Sequence, residues 1–338
     1  MPGFITRSLS MIAFAALSVQ LNCSLFQFTL PAEHRVVPNS QPQSIHNVEA
    51  HWIGHATVLL RIYDRWILTD PCFSQYLGPV KRFVEPAMQV EDLPELDWVL
   101  ISHTHFDHLD RASLKALPSA KRLLVPAGGA IYIPGVAADS VAPVVDGTVV
   151  EGDGVRVTAV PAQHFGGRIL IDNLWDGEPY NGYVIEYKDV TVYFAGDTGY
   201  NDTLFKKLGE DFDIDLALIP VGPSGGNSLL RSAIGQYVHV DPYEAVQAFK
   251  DTGARWMVPI HHSTFYRRGG TEMELILDSI AKSGISERIL LVKVGESLGF
   301  DVQNDRATYL SRGESLSQTD AQSATKQAET DADELRPD

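Results

Sequence analysis

A layered α/β fold of αββα type is predicted by three features of the 338-residue sequence. Short apolar runs recur along it, each bounded by turn residues, which is how buried strands read. Helix-length stretches with capping residues lie between several of these runs. The strands fall into two groups with helices interspersed, which excludes an all-β sandwich.

The pattern is dense from Val48 to about Phe300. Ala56–Arg61 and Arg65–Thr69 predict a hairpin turning at Tyr63-Asp64. Trp98–Ser102 (WVLIS) reads as a buried strand, followed by Arg122–Val125, Val155–Val160, Tyr183–Tyr187, Val190–Ala195, Leu216–Pro220 and Trp256–Ile260. Helices are expected at Arg111–Ala116, Thr203–Leu208, Pro242–Thr252 and Thr271–Ala281. The third has Asp241 placed to cap it and Pro242 at its first position, where the missing N–H costs nothing.

Outside this body, Arg7 is the single charge ahead of the apolar run Leu9–Leu21, too short for a bilayer span and suited to an export signal over 1–22. Cys23 follows as a candidate lipid acceptor, although Asn22 departs from the small residue such sites favour. A periplasmic or membrane-anchored location is therefore expected. Residues 23–47, with three prolines, read as a linker or extended arm. Residues 48–304 form the body, and the Ser-, Gln- and Asp-rich stretch 305–338 reads as a disordered acidic tail.

Charge narrows the partners. Lys and Arg total 27 against 43 Asp and Glu, a net charge of −16. Capture of nucleic acid needs a basic surface, so no nucleic-acid partner is expected. A membrane surface would have to be held by something other than charge. Two cysteines exclude a disulfide framework and a Cys-rich zinc site.

The chemistry concentrates in Ile101–Asp110, ISHTHFDHLD. His103, His105, Asp107 and His108 follow directly on a predicted strand and would reach one rim of a sheet. Imidazole and carboxylate are the ligand set of zinc and similar divalent ions. Crowding four such groups without a cation would be costly. One cluster cannot complete two coordination spheres, and further candidates stand at other strand ends. They are His164 after VRVTAVPAQ, Asp197 in the Gly196–Gly199 turn, and His261 after WMVPI. His262 rivals His261, since neighbours on a strand face opposite sides.

This set, His-X-His-X-Asp-His followed by His164, Asp197 and His261, resembles the metallo-β-lactamase superfamily. Within it the sequence is similar to the N-acyl-phosphatidylethanolamine-hydrolysing phospholipase D branch and its bacterial relatives. The segments that carry this are Trp52–Thr57, Leu68–Pro71, Gly78-Pro79, Lys81-Arg82, Trp98–His103, Gln163–Phe165 with Gly167-Arg168, Phe194–Tyr200, His239–Pro242, Ile260-His261 and Gly295–Ser297. The resemblance implies a four-layer αββα sandwich and two divalent metal ions per chain, with zinc favoured. His103, His105 and His164 would hold one ion, Asp107, His108 and His261 the other, and Asp197 would bridge them. Many true β-lactamases carry a cysteine where Asp197 stands, so antibiotic hydrolysis is disfavoured.

The implied reaction is attack by a hydroxide shared between the ions, with Asp197 and Asp107 as catalytic carboxylates and Asp107 either orienting the water or shuttling its proton. Asp70 is either an acceptor for a ligand imidazole or a turn residue before Pro71. His55 and His239 either line the pocket or support it. Lys81, Arg82 and Arg168 are candidate phosphate contacts or solvated surface. The stretch Gly222–His239 departs from the phospholipase pattern and would shape the substrate pocket. The leading function is phospholipase D-type hydrolysis of an N-acyl-phosphatidylethanolamine-like phospholipid. Hydrolysis of a lactone, ester or sugar phosphate on the same fold stands second. A di-iron redox protein and a non-catalytic binding protein are less favoured. The sequence carries no sign of oligomeric state.

Overall fold

The computed structural model describes residues 29–36, 46–78, 80–133, 135–164, 168, 180–222, 238–265 and 271–311. The expected export signal, Cys23 and the tail beyond Ser311 lie outside the described residues, as do residues 223–237.

The first half of the chain supplies β1 (Val48–Gly54), β2 (Thr57–Ile62), β3 (Arg65–Thr69), a short pair β4 (Tyr76–Leu77) and β5 (Val80–Lys81), then β6 (Leu96–Leu100). Helix α1 (Arg111–Ala116) precedes β7 (Ala120–Pro126) and β8 (Ala138–Val144). The second half supplies β9 (Val149–Gly152), β10 (Val155–Val160), β11 (Gly182–Tyr187) and β12 (Val190–Phe194). Helix α2 (Asp202–Asp211), β13 (Leu216–Pro220), α3 (Pro242–Thr252), β14 (Trp256–Ile260) and α4 (Thr271–Lys282) follow in turn. The chain then returns to the first sheet with β15 (Ser297–Asp301) and β16 (Arg306–Ser311).

Eight strands form one sheet in the order β16-β15-β1-β2-β3-β6-β7-β8, and six form the other in the order β14-β13-β12-β11-β10-β9. Alternation along β13 shows how the layers are made. Leu216 and Leu218 join the core between the sheets, whereas Ala217 and Ile219 join a second core beneath the helices. Phe205 and Leu208 of α2, Phe249 of α3 and Ile276 of α4 complete that second core. A strand buried on both faces reads as an unbroken apolar run, which is why LALIP and WMVPI stand out. The expected αββα sandwich is present, with one thin outer layer. Among the described residues, the first sheet is covered by the six-residue α1 and by 3-10 turns at Val90–Asp92 and Gly129–Tyr132.

Several expectations shift at their ends. The strand expected over Trp98–Ser102 ends at Leu100, because Ser102 turns its N–H to the Asp70 carboxylate. The hairpin is found, with Ile62 paired to Arg65 and Tyr63 at φ 54° in its turn. Strands β1, β8, β9 and β15 and the short pair β4 and β5 went unread, and they lack the compact aliphatic run of the others.

The boundary at 304 is a correction. Arg306–Ser311 pair antiparallel with β15 from Ser297 to Asp301, and Ala307 and Tyr309 pack against the inter-sheet core. Alternating exposure along β16 hides its strand character behind polar residues. Removing residues 312–338 is expected to leave thermal stability unchanged. A cut before Arg306 strips an edge strand with two half-buried side chains and should lower Tm by roughly 5–10 °C. Thermal melts of the two truncations check this, and equal values would restore the earlier boundary. At the other end, residues 29–36 of the expected linker or arm are described, and they lie against the body. Leu30 and Val36 donate backbone hydrogen bonds to Phe83 and Ala87, and Val36 is buried.

Candidate metal centre

Direction of travel explains why the polar residues converge. Strand β3 runs parallel to β6, and β12 runs parallel to β13 and β14. Strand β10 reverses through β11, so it points the same way as β12. Their carboxyl ends deliver Asp70, the His103–His108 loop, His164, Asp197 and His261 to one rim. The sheets close on each other there. Gly196, at φ 60°, lies so near Ser102 that a Cβ would stand 2.4 Å from the Ser102 Cβ, so only glycine lets the Asp197 turn approach.

His103, His105 and His164 form one convergent group, and Asp107, His108 and His261 with His55 form another. In the first, His105 Nδ1 lies 2.9 Å from His103 Nε2 and 3.2 Å from His164 Nε2. In the second, His108 Nε2 and His261 Nε2 are 3.1 Å apart, with Asp107 Oδ2 at 3.7 and 3.8 Å. Asp197 stands between the groups. Its Oδ2 is 3.3 Å from His108 and 3.9 Å from His103, and its Oδ1 is 3.2 Å from His261. All seven residues singled out in the sequence are thus brought together.

The outer ring nitrogens fix what the inner ones offer. His108 Nδ1–H donates to Asp70 Oδ2 (2.6 Å), His261 Nδ1–H to the Gly222 carbonyl (2.6 Å) and His164 Nδ1–H to the Val238 carbonyl (2.8 Å). Carboxylates and carbonyls only accept, so each ring, when neutral, turns a lone pair inward. Ser102 extends the scheme: its hydroxyl donates to Asp70 Oδ2 at 2.5 Å and accepts from His103 Nδ1 at 3.0 Å. Asp70 therefore aims two imidazoles, as an acceptor rather than a turn residue alone. Lone pairs facing each other near 3 Å repel unless a cation lies between them. Four nitrogens around a zinc ion at its usual bond length would themselves be about 3.3 Å apart. The donor set fits divalent metal.

Titration behaviour agrees. Burial, reinforced by neighbouring imidazoles, pushes His103 well below the usual histidine range. Burial likewise holds His164 well below that range and lowers His105, favouring neutral ligands. Burial would also lower His108, but Asp197, Asp107 and Asp70 around it raise it well above the ordinary value. Burial would raise Asp107 and Asp197, yet His108 and its neighbours hold both well below the carboxylate range. A positive charge is favoured at that spot.

Backbone strain gathers here too. His55, Asp70, His261 and Ser263 take φ of 58°, 33°, 63° and 52°, the left-handed region that side chains disfavour. Strand alternation implies that only one of His261 and His262 reaches the centre, and the family resemblance favours His261; β14 in fact ends at Ile260, and the turn itself swings His261 inward. His262 is buried against Trp52, ring centroids 4.5 Å apart. His55 supports the site: its Nε2 lies 2.9 Å from Asp107 Oδ2, and burial pushes its pKa down to about 3, so it is a neutral donor. His239 lies with its Nδ1 3.5 Å from Asp197 Oδ2. Gly222 and Val238, whose carbonyls accept from His261 and His164, flank residues 223–237, so most of the Gly222–His239 stretch expected to shape the pocket lies outside the described residues. The Ser102 relay went unread, because nothing marks a serine before a histidine as special.

Arg82 and Arg168 are corrections as phosphate contacts. Arg82 is fully buried and bonded to the Cys72 and Ser74 carbonyls. Arg168 donates to the Leu109 carbonyl at 2.6 Å and lies over the Phe106 ring. Lys81 sits half-buried with its ammonium 6.0 Å from the Tyr76 ring centre.

Residues 65–262 match the family model of the beta-lactamase superfamily domain. The chain belongs to the beta-lactamase superfamily. It is a metal-dependent hydrolase of that superfamily, with candidate metal-binding His and Asp clusters. An N-acyl-phosphatidylethanolamine-hydrolyzing phospholipase D 1 from Caenorhabditis elegans is 33% identical over 279 residues, 73% of this chain and 74% of that one. A metal-dependent hydrolase of Rubrobacter xylanophilus is 31% identical over 252 residues, covering 73% of this chain and 95% of its own. Among solved structures, the metallo hydrolase Igni18 of Ignicoccus hospitalis superposes with a TM-score of 0.54 at 20% identity, over 75% of this chain and 98% of that one. That likeness speaks for the fold alone.

Proposed function

We propose that this superfamily member is a binuclear phosphodiesterase of phospholipase D type, acting on N-acyl-phosphatidylethanolamine-like lipids with zinc as its metal. The observation that carries the binuclear reading is the Asp197 carboxylate, with one oxygen turned to His261 and the other to His103 and His108. His103, His105 and His164 would hold the first ion, Asp107, His108 and His261 would hold the second, and Asp197 would be shared between them. Bound there, a pair of divalent ions supplies a water acidified towards neutral pH and charge for the oxygens of the electrophile.

The chain's own groups do the remaining work. Asp107 is partly exposed, and His55 holds its Oδ2, which leaves Oδ1 to take up the water's proton. Asp70 keeps His108 and His103 in their ligand orientations from below. The lipid reading rests on the 33% identity to the nematode phospholipase and on the shared segments around each ligand.

A substrate panel tests it. The purified zinc-loaded protein is expected to release N-acylethanolamine from the phospholipid and to leave lactones and carboxylic esters largely intact. Lactone turnover with no phosphodiester cleavage would replace this reading with the second one.

A further inference from the structure

Arg82 is a buried charged group near the centre that the chemistry above does not use. Its side chain has no solvent exposure, and it forms no ion pair among the described residues. Burial lowers its pKa, and the nearby Cys72 and Asp110 offset this only in part, the direction expected for a cation kept from water without a directly paired acid. A cation held this way is costly, so its geometry has to return something.

That geometry joins two loops. Nη2 donates to the Cys72 carbonyl at 2.5 Å, and Nε donates to the Ser74 carbonyl at 3.1 Å. Its backbone N–H reaches the Gln75 carbonyl at 2.8 Å. These bonds fix the turn that begins with Asp70. On the other side the guanidinium lies over the Phe265 ring, 4.5 Å from its centre. The next two backbone N–H groups, of Phe83 and Val84, both donate to the Thr264 carbonyl. Thr264 in turn accepts the His55 N–H through its hydroxyl oxygen. One loop carries the acceptor that aims His108, and the other carries His261. His261 also donates its N–H to the His55 carbonyl, which ties its loop to the turn between β1 and β2.

We propose that Arg82 is a positioning residue that sets the distance between the Asp70 turn and the His261–Phe265 loop, and so the spacing of His108 and His261 at one ion. The planar fork is suited to this task because two of its nitrogens reach two carbonyls at fixed angles while its face remains free to stack. A lysine offers one charged point and no stacking plane, so it cannot replace the fork. The inference rests on the two-metal reading, and uptake of two zinc ions by the unaltered protein tests that separately.

The experiment uses the full chain with Arg82→Met, Arg82→Lys and Phe265→Leu, beside Leu123→Ala as a core variant distant from the rim. Zinc affinity is measured by competition with a chromophoric chelator, and folding of each stripped protein by thermal melts. Arg82→Met and Arg82→Lys are expected to bind one zinc ion normally and the second roughly 10–100-fold more weakly, the range found when a group behind a ligand is lost. Phe265→Leu, which keeps the charge and removes the stacking face, should weaken the second ion less and remain folded if Arg82→Met does not. Leu123→Ala should lose stability with both affinities intact. Unchanged zinc binding in the Arg82 variants, or a loss no greater than that of Leu123→Ala, overturns the proposal. So does a loss at Arg82→Met that Arg82→Lys fully restores, because charge alone would then suffice.

Discussion

Asp197→Asn is expected to abolish hydrolysis and to lower bound zinc by about one ion per chain. The side chain keeps its shape but loses the charge that faces His108 at 3.3 Å and His261 at 3.2 Å. An amide offers one neutral oxygen where the carboxylate offers two, so it cannot face both ligand groups. A drop of a thousandfold or more in kcat/KM corresponds to about 4 kcal/mol of lost transition-state stabilisation. Metal analysis by plasma emission together with steady-state kinetics checks both halves. Full activity with two ions bound would remove Asp197 from the bridging position.

The adjacent histidines should then separate cleanly. His261→Ala removes a ring that packs against His55 and His108 and donates to the Gly222 carbonyl. It is expected to lose about one zinc ion and nearly all activity. His262→Ala leaves those contacts alone and opens a cavity beside Trp52. Its cost should be stability, roughly 2–4 kcal/mol as for other large buried deletions, with both ions retained. Burial pushes the His262 pKa down to about 3, so it is a neutral packing ring at any working pH. Parallel metal counts and thermal melts distinguish the two variants, and equal zinc loss in both would undo the choice of His261.

Much of this was legible before any coordinates. The runs LALIP and WMVPI announce strands buried on both faces, and ISHTHFDHLD announces a metal-binding loop at a strand end. Periodicity and ligand chemistry are local properties, so they survive in a linear reading. What the sequence hid depends on through-space neighbours. Asp70 and Ser102 are 32 residues apart, and only parallel pairing of β3 and β6 makes them one relay. The reason His261 rather than His262 faces the other candidate residues was also hidden, because strand alternation stops where the backbone turns left-handed at His261. Arg82 looked like surface because its hydrogen bonds go mainly to backbone carbonyls, which no residue type advertises. Strand β16 looked like tail because an edge strand with one wet face is half polar.

The cluster of left-handed residues at His55, Asp70, His261 and Ser263 has an evolutionary reading. Such conformations cost of order 1–3 kcal/mol each and persist only where the surroundings enforce them. The centre is therefore a debit against the stability of the rest of the domain, and the two apolar cores carry it. Lineages that drift towards easier backbone here would gain heat tolerance while losing the fit of their ligands, so selection for turnover must keep renewing an architecture that folding on its own would discard.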